Sequence, residues 1–369
     1  MKRALLLFMC VCLLPSAAAQ ESVDLDDAAQ RAQEGMRDTF LTELRPGVRM
    51  LADHAPPAPG AGFNYWWHAH VLDALLDGFE RTGDAAYLDL AREDIDGVRM
   101  VQRGTLFNNY YDDMAWMALA LLRWHDLTGE EMAYKQAQAL WHDIKGGWNK
   151  ELGGIAWRKS QRDYRNTPAN APSAILGYRM HAHTGRPDDL AWAERICAWQ
   201  LDTLVDRETG HVHDGINRLG NGAIDRDWMF TYNYGTVIGM LVERCRALGD
   251  QGDLDFALKV AHAAKERFFS ELGGVMAYEG EKDAGLFRGI FFRYLEQLAL
   301  ALPQERWLDE LTVINATAIA QNALDDTGRV GAGWMRKPGK RIDLAQQSCA
   351  VMTLELGARA QRRLQMTGK

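Results

Sequence analysis

Apolar residues recur at helical spacing along most of the chain, and two kinds of helical stretch alternate. One kind carries a single apolar stripe. Leu88, Ala91, Ile95 and Val98 fall on one face, with Arg92, Glu93 and Asp96 elsewhere. The other kind is apolar almost all round, as in Met114 to Leu122 and Ala171 to Met180, which suits burial on every side. In chain order the pattern predicts helices near 25–45, 64–81, 84–101, 112–127, 130–147, 169–183, 187–205, 232–247, 252–270, 287–302, 304–324 and 343–362. Little of the chain reads convincingly as strand.

Two kinds of turn separate these stretches. Short turns at Thr82-Gly83-Asp84, Thr128-Gly129-Glu130, Thr184-Gly185-Arg186 and Leu248-Gly249-Asp250 close one helix with a Gly suited to the left-handed conformation and open the next. Longer loops hold Glu151-Leu152-Gly153-Gly154, Glu208-Thr209-Gly210, Glu271-Leu272-Gly273-Gly274 and Asp326-Thr327-Gly328. They recur roughly every 60 residues, the period of a helical hairpin plus a loop. Six hairpins, each with an amphipathic outer and an apolar inner helix, predict an all-α fold, an (α/α)6 barrel. The long loops precede the inner helices and should line the mouth. No Pro/Ser-rich linker or shift in composition divides the chain, so residues 20–369 are expected to form one domain.

Residues 1–19 read differently. Lys2 and Arg3, an apolar run from Ala4 to Leu14 and Ala17-Ala18-Ala19 form a secretory signal peptide pattern, so a secreted or periplasmic protein is expected. The run is too short for a membrane span. Leu7-Phe8-Met9 before Cys10 lacks the small residue of a lipoprotein signal, and the C-terminus lacks the hydrophobic tail of a glycolipid anchor. Cys10 and Cys12 would leave with the signal. Cys197, Cys245 and Cys349 are read as buried free thiols, with one bridge left open. The net charge of −8 argues against nucleic acid or an anionic membrane as partner. Twelve Trp, eleven Tyr and twelve Phe supply flat faces suited to sugars, although core packing explains many single rings equally well.

The entrances to the inner helices are rich in amides, phenols, indoles and guanidinium groups. They read Asn64-Tyr65-Trp66-Trp67-His68, Asn108 to Asp113, Trp157-Arg158 with Tyr164 to Asn170, Thr231 to Tyr234, Phe287-Arg288-Gly289, and Asp343 with Gln346 and Gln347. Helix capping accounts for single Asn and Asp residues there but poorly for the repeated aromatics. A shared site for a polyhydroxylated ligand accounts for both. Asn64, Tyr65, Trp66, Asn109, Tyr111, Arg158, Asn170, Tyr232, Asn233 and Arg288 are the candidates for binding it. Asp112 and Asp113 are the candidates for chemistry. Alone, they would be an acidic first turn worth on the order of 1 kcal/mol. In this setting they read as a catalytic pair, one holding its proton while the other ionises. Adjacent side chains at a helix start can set carboxyl groups about 5 Å apart, the retaining rather than the inverting spacing. His68/His70, His181/His183 and His211/His213 lack the spacing or companions of a metal site, and no phosphate loop or serine nucleophile elbow occurs.

Tyr110-Tyr111-Asp112-Asp113-Met114-Ala115-Trp116 resembles the catalytic Asp-Asp motif of glycoside hydrolase family 76, the endo-α-1,6-mannanases. The likeness continues through Tyr65 to His70 with Leu72-Asp73, Gly153 to Arg158, Arg165 to Pro172, Thr231 to Thr236 and Phe287 to Phe291. The resemblance implies an (α/α)6 barrel and a double displacement, with Asp112 as nucleophile and Asp113 as general acid/base. It implies an α-mannan poly- or oligosaccharide as partner and no cofactor or metal. A monomer of the bacterial secreted type is expected. Tyr234, Arg165 and His68 depart from the family pattern, which expects Gln, Lys and Gln there, and so bear on the subsites. Other (α/α)6 sugar chemistry (epimerisation, or unsaturated uronide hydrolysis using Arg158, Arg165 and Arg288) and a non-catalytic glycan-binding role are the alternatives.

Overall fold

Apolar helices can hide their surface only by packing on one another, and here they close a ring. In the computed structural model, which describes residues 23–57, 62–269 and 273–367, the described residues form twelve α-helices. These are α1 (Leu25–Phe40), α2 (Tyr65–Thr82), α3 (Ala86–Val101), α4 (Tyr111–Thr128), α5 (Glu131–Lys145), α6 (Thr167–Thr184), α7 (Pro187–Thr203), α8 (Thr231–Leu248), α9 (Gly252–Phe268), α10 (Phe287–Ala301), α11 (Trp307–Ala318) and α12 (Leu344–Thr367). Helices α2, α4, α6, α8, α10 and α12 each pack on the next, and α12 returns to α2. The odd-numbered helices lie outside, α3, α5, α7 and α9 on the inner helix preceding each, α1 and α11 on α12. This is the expected (α/α)6 barrel. The signal-peptide stretch, with Cys10 and Cys12, and Glu271-Leu272 lie outside the described residues.

Burial follows the two sequence patterns. α6 is buried without a break from Thr167 to Tyr178, whereas α3 buries a stripe that includes Leu88, Ala91, Ile95 and Val98. Close approach of inner helices needs a missing side chain at one point in particular. A Cβ on Gly235 of α8 would lie 2.6 Å from the Cα of Phe291 on α10. The short turns behave as their sequences predict, with Gly83, Gly129, Gly185 and Gly249 all left-handed at the helix C-termini.

Three small sheets were not anticipated. The first helix stops at Phe40 rather than near 45, because Pro46 cannot continue a helix and Gly47 turns the chain at φ +79°. The segment folds back as β1 (Leu41–Arg45) on β2 (Val48–Leu51). β3 (His54–Ala55) pairs with β7 (Ile342–Asp343). β4 (Ala156–Arg158), β5 (Gln161–Asn166) and β6 (Gly215–Ile216) form a three-stranded sheet beside the mouth. The eleventh predicted helix is also shorter, ending in a π-turn over Ile319–Ala323. Cys197, Cys245 and Cys349 are buried free thiols. Among the described residues no helix is long and apolar enough to cross a membrane.

The ring is tied across its centre by ions. Asp77 of α2 is wholly buried and accepts from Arg123 of α4 at 2.7 Å, from Arg359 of α12 at 3.2 Å and from Arg293 of α10. Asp73 shares Arg123 at 2.9 Å and Arg293 at 3.3 Å. Burial opposes ionisation of Asp77, but Arg123, Arg293 and Arg359 overcome it and hold the carboxyl far below the usual carboxylate range. Replacing Asp77 by Asn leaves three buried guanidinium groups short of a counter-charge. Asp77→Asn is expected to cost about 3–5 kcal/mol, read from urea unfolding at pH 7. The wild-type advantage is present above the unfolded value of about 3.9 and declines as pH falls below it, toward the depressed folded value. An unchanged midpoint at pH 7 would sink this account.

Candidate active site

Because every inner helix starts at the same end, six helix N-termini surround one opening. A cleft of about 840 Å³ lies there. Its floor is the first turn of α4. Tyr110 is the N-cap residue and makes no side-chain cap bond, so Asp112 and Asp113 sit in the first turn rather than at the cap itself. Both line the cleft.

The two carboxyls have different surroundings. Asp112 Oδ1 accepts the backbone N–H of Asp113 at 3.0 Å, and Oδ2 accepts the indole N–H of Trp157 at 2.9 Å. Among the described residues Asp113 Oδ2 accepts only the amide of Asn108, at 2.8 Å. That amide is itself fixed, since Asn108 Oδ1 accepts the N–H of Tyr110 at 3.1 Å. Burial pushes Asp112 up to about 7, against its hydrogen-bond donors and with help from the charge of Asp214. Asp113 is raised well above the ordinary range, by burial first and then by the charges of Asp112 and Asp283. With two N–H donors on Asp112 and one on Asp113, the hydrogen bonds favour the carboxylate at Asp112.

Asp214 organises the wall opposite α2. It is buried and accepts from Tyr164 at 3.0 Å, Arg218 at 2.8 Å, Tyr232 at 3.2 Å and Asn233 at 3.0 Å. Arg218 lies 3.4 Å from the ring centre of Trp228, and that indole is 46% exposed, leaving a flat face at the rim. Tyr232 stacks on Phe287 at 3.9 Å with the rings 3° from parallel. On the α2 side, Asn64 donates to Asp53 at 2.7 Å, and His68 lies between Asp53 at 3.4 Å and Asp94 at 2.9 Å. Burial opposes protonation of His68, but Asp94 and Asp53 raise it to about 10. A buried charged histidine therefore steadies the carboxylate that orients Asn64.

Of the residues singled out from sequence, Asn64, Tyr65, Trp66, Asp112, Asp113 and Tyr232 line the cleft. The others do not. Asn170 is wholly buried and bonds the backbone of Ile155 at 2.7 and 2.9 Å, tying a mouth loop to α6. Asn233 is buried behind Asp214. Arg288 donates to the carbonyl of Ala332 and stacks on Trp334 at 3.7 Å. Tyr111 is buried away from the cleft, its hydroxyl accepting from Arg162 at 3.0 Å. Arg158 backs the wall, 4.6 Å from the ring centre of Trp157. Asn109 is exposed and donates to Ser160 at 3.1 Å. The reason is common: successive helix-start residues point in different directions, so an entrance motif sends only part of its polar set into the opening. Tyr234, Arg165 and His68 are likewise absent from the lining, so those departures from the family pattern lie behind it.

Trp157, Tyr164, Asn166, Asp214, Arg218, Trp228 and Asp283, none of them a site candidate from the sequence, also line the cleft. Trp157, Tyr164 and Asn166 lay within quoted entrance stretches, but their placement depends on the unanticipated sheet of β4, β5 and β6. Asp214 and Asp283 carried no motif at all. Among the described residues no group of three or more His, Cys, Asp or Glu side chains could hold a metal ion.

The raised carboxyls have a stability consequence. A carboxyl with a folded value above its unfolded value of about 3.9 weakens the fold as pH rises past that value. Asp113→Asn removes this effect while its amide oxygen can still accept from Asn108. The variant is expected to be more stable than wild type by at least about 1 kcal/mol at pH 7, with the gain fading below about pH 4. Thermal unfolding at both pH values checks it; equal stability at pH 7 contradicts the burial assignment.

The family profile described as glycosyl hydrolase family 76 matches residues 24–367. Mannan endo-1,6-alpha-mannosidase DFG5 of Saccharomyces cerevisiae is 25% identical over 376 residues, covering 90% of this chain and 79% of its own. The GH76A alpha-1,6-mannanase from Salegentibacter sp. HEL1_6 superposes with a TM-score of 0.85 at 35% identity, over 91% of this chain and 100% of that one. An inactive variant of that enzyme, with two adjacent aspartates replaced by alanine, has been solved with an α-1,6-linked mannotetraose; its TM-score is 0.86 at 35% identity, over 92% of this chain and 100% of that one. With a profile that spans nearly all the described residues and a barrel of the same form, this chain is a glycoside hydrolase and belongs to glycosyl hydrolase family 76.

Proposed function

We propose that residues 20–369 form one exported catalytic domain that cleaves α-1,6-mannosidic linkages with retention. The observation that carries the reading is the unequal pair on the floor of the cleft. Asp112 receives two N–H donors, which favour a carboxylate; Asp113 receives one amide and faces two other carboxylates. Such a pair divides into nucleophile and acid. The Salegentibacter relatives support the substrate, since those solved with α-1,6-linked mannotriose and mannotetraose are inactive variants changed at two neighbouring aspartates.

In the first step Asp112 attacks the anomeric carbon, and Asp113 gives its proton to the departing glycosidic oxygen. A covalent mannosyl ester on Asp112 results. Water then attacks the same carbon, Asp113 takes the water's proton, and the ester bond to Asp112 breaks. Both carboxyls return to their starting states. Trp157 keeps the Asp112 oxygens aimed, and the indole of Trp228 and the ring of Trp66 offer stacking faces to neighbouring sugars. The uronide reading weakens because Arg165 and Arg288 do not line the cleft, and Arg218, which does, is engaged by Asp214 and Asp225.

Purified wild type is expected to hydrolyse unbranched α-1,6-mannan and to release the α-anomer first, seen by proton NMR at early times. Asp112→Asn should abolish turnover, and Asp113→Asn should reduce it by roughly 10²–10⁴-fold. An inverted first product, or full activity in Asp112→Asn, rules the mechanism out. Binding of mannan oligosaccharides without turnover would point to a glycan-binding role instead.

A further inference from the structure

The cleft holds a further acidic group, on the α2 side, that no step above uses. Asp283 belongs to the 3-10 turn Lys282–Gly285, on the strap that leads into α10. One carboxylate oxygen of Asp283 accepts two indole N–H groups, from Trp66 at 3.0 Å and Trp67 at 2.9 Å. Both indoles lie in the first turn of α2. Asp283 and Trp66 line the cleft together with Asp113. Tyr65, between Asn64 and Trp66, feels the charge of Asp113, so the same helix start stands beside both acids. Among the described residues Asp283 makes no ion pair, unlike Asp214, which has Arg218. The carboxyl is exposed at the rim of the cleft, and two neutral donors anchor it without cancelling its charge.

We propose that Asp283 is a positioning residue of the reaction, acting on Asp113 through its uncompensated charge and on the Trp66 wall through its two indole bonds. The assignment deepens the glycosidase reading and rests on it for the role of Asp113. A general acid must keep its proton until the glycosidic oxygen arrives. A fixed anion nearby favours that state, because ionising Asp113 would add a further negative charge to a buried site. The direction found for Asp113 agrees, with Asp283 among its causes after burial and Asp112. Asp112 exerts the same effect more strongly, but it gives up its charge when it forms the glycosyl ester. Asp112 is its partner on α4, and Tyr65 is a neutral phenol bonded to the carbonyl of Leu106. Glu281 and Lys282 flank Asp283 on the strap. Lys282 is exposed, and its backbone N–H is taken by Asp343. Asp343 also holds His54 at 2.7 Å. Across the cleft Asp214 is matched by Arg218 and faces Asp112.

The test is Asp283→Asn, which keeps an oxygen for the indoles and removes the charge. Asp283→Ser supplies a second neutral acceptor should the first fail to fold. Isotope-edited carboxyl NMR would follow the Asp112/Asp113 pair through pH, a readout that needs no turnover. The upper apparent titration of the pair is expected to fall by about one pH unit in the neutral variants. The alkaline limb of kcat/KM should move down by the same amount, with KM near the wild-type value. Asp283→Ala should add a several-fold rise in KM through loss of the Trp66 anchor. Superposing titrations for wild type and Asp283→Asn would overturn the proposal, as would a change in KM alone. Failure of the wild type to hydrolyse mannan would instead strike the glycosidase reading and leave the titration comparison standing.

Discussion

The barrel depends on a buried electrostatic knot. Asp77 takes guanidinium groups from α4, α10 and α12, while Asp73, one turn nearer the mouth, shares two of them. Hydrophobic contact between inner helices is non-directional and would tolerate sliding or rotation of one helix against another. A carboxylate that must meet three guanidinium groups does not. It fixes α2, α4, α10 and α12 relative to one another at one level of the barrel. Desolvating these ions is costly, so the knot contributes less to net stability than its bonds suggest. Its value lies in the geometry it imposes on the far end of the same helices.

That far end is the cleft. Each inner helix brings unsatisfied N–H groups and the positive end of its dipole to the opening, which favours negative charge there. The site uses this for Asp112, whose oxygen accepts a backbone N–H in the first turn of α4. Burial works the other way and raises both carboxyls, with like charge adding to it. The two acids are neighbours in sequence, yet they differ because Trp157, delivered from β4, reaches only one of them. Function thus requires carboxyls held where they are individually unfavourable, a cost the rest of the barrel must carry.

The helices were legible because the signal is local. A stripe or an all-round apolar run reports how many sides of a helix are covered, and Gly83, Gly129, Gly185 and Gly249 mark where each ends. The catalytic pair was legible for a related reason, since two acids opening an apolar helix stand out. The first helix was overextended because its apolar spacing runs on past Phe40, where Pro46-Gly47 turns the segment into a hairpin instead. The walls of the cleft were less legible. Asn170 and Asn233 have the residue type of a sugar ligand, but one ties down a loop and the other supports Asp214. Asp214 and Asp283 have no local signature, because what makes them notable is the set of partners brought from Tyr164, Arg218, Trp66 and Trp67.

These long-range partners explain why the mouth loops, irregular as they are, can hold a defined site. Two of them are pinned to helix starts by side-chain hydrogen bonds. Asn170 secures the loop before β4, Glu279 secures the strap to Thr231 at 2.9 Å, and Asp283 secures it again to α2. A strap held at two points loses little further freedom when a sugar arrives, so the ordering was done at folding rather than at binding. The same pins make the lining sensitive to residues that never touch a ligand. His68 is one of these: it is wholly buried against Asp94 of α3, yet through Asp53 it sets the direction of Asn64. A substitution there should therefore be read first as a change in the shape of the cleft, and only then as a change in the stability of α2.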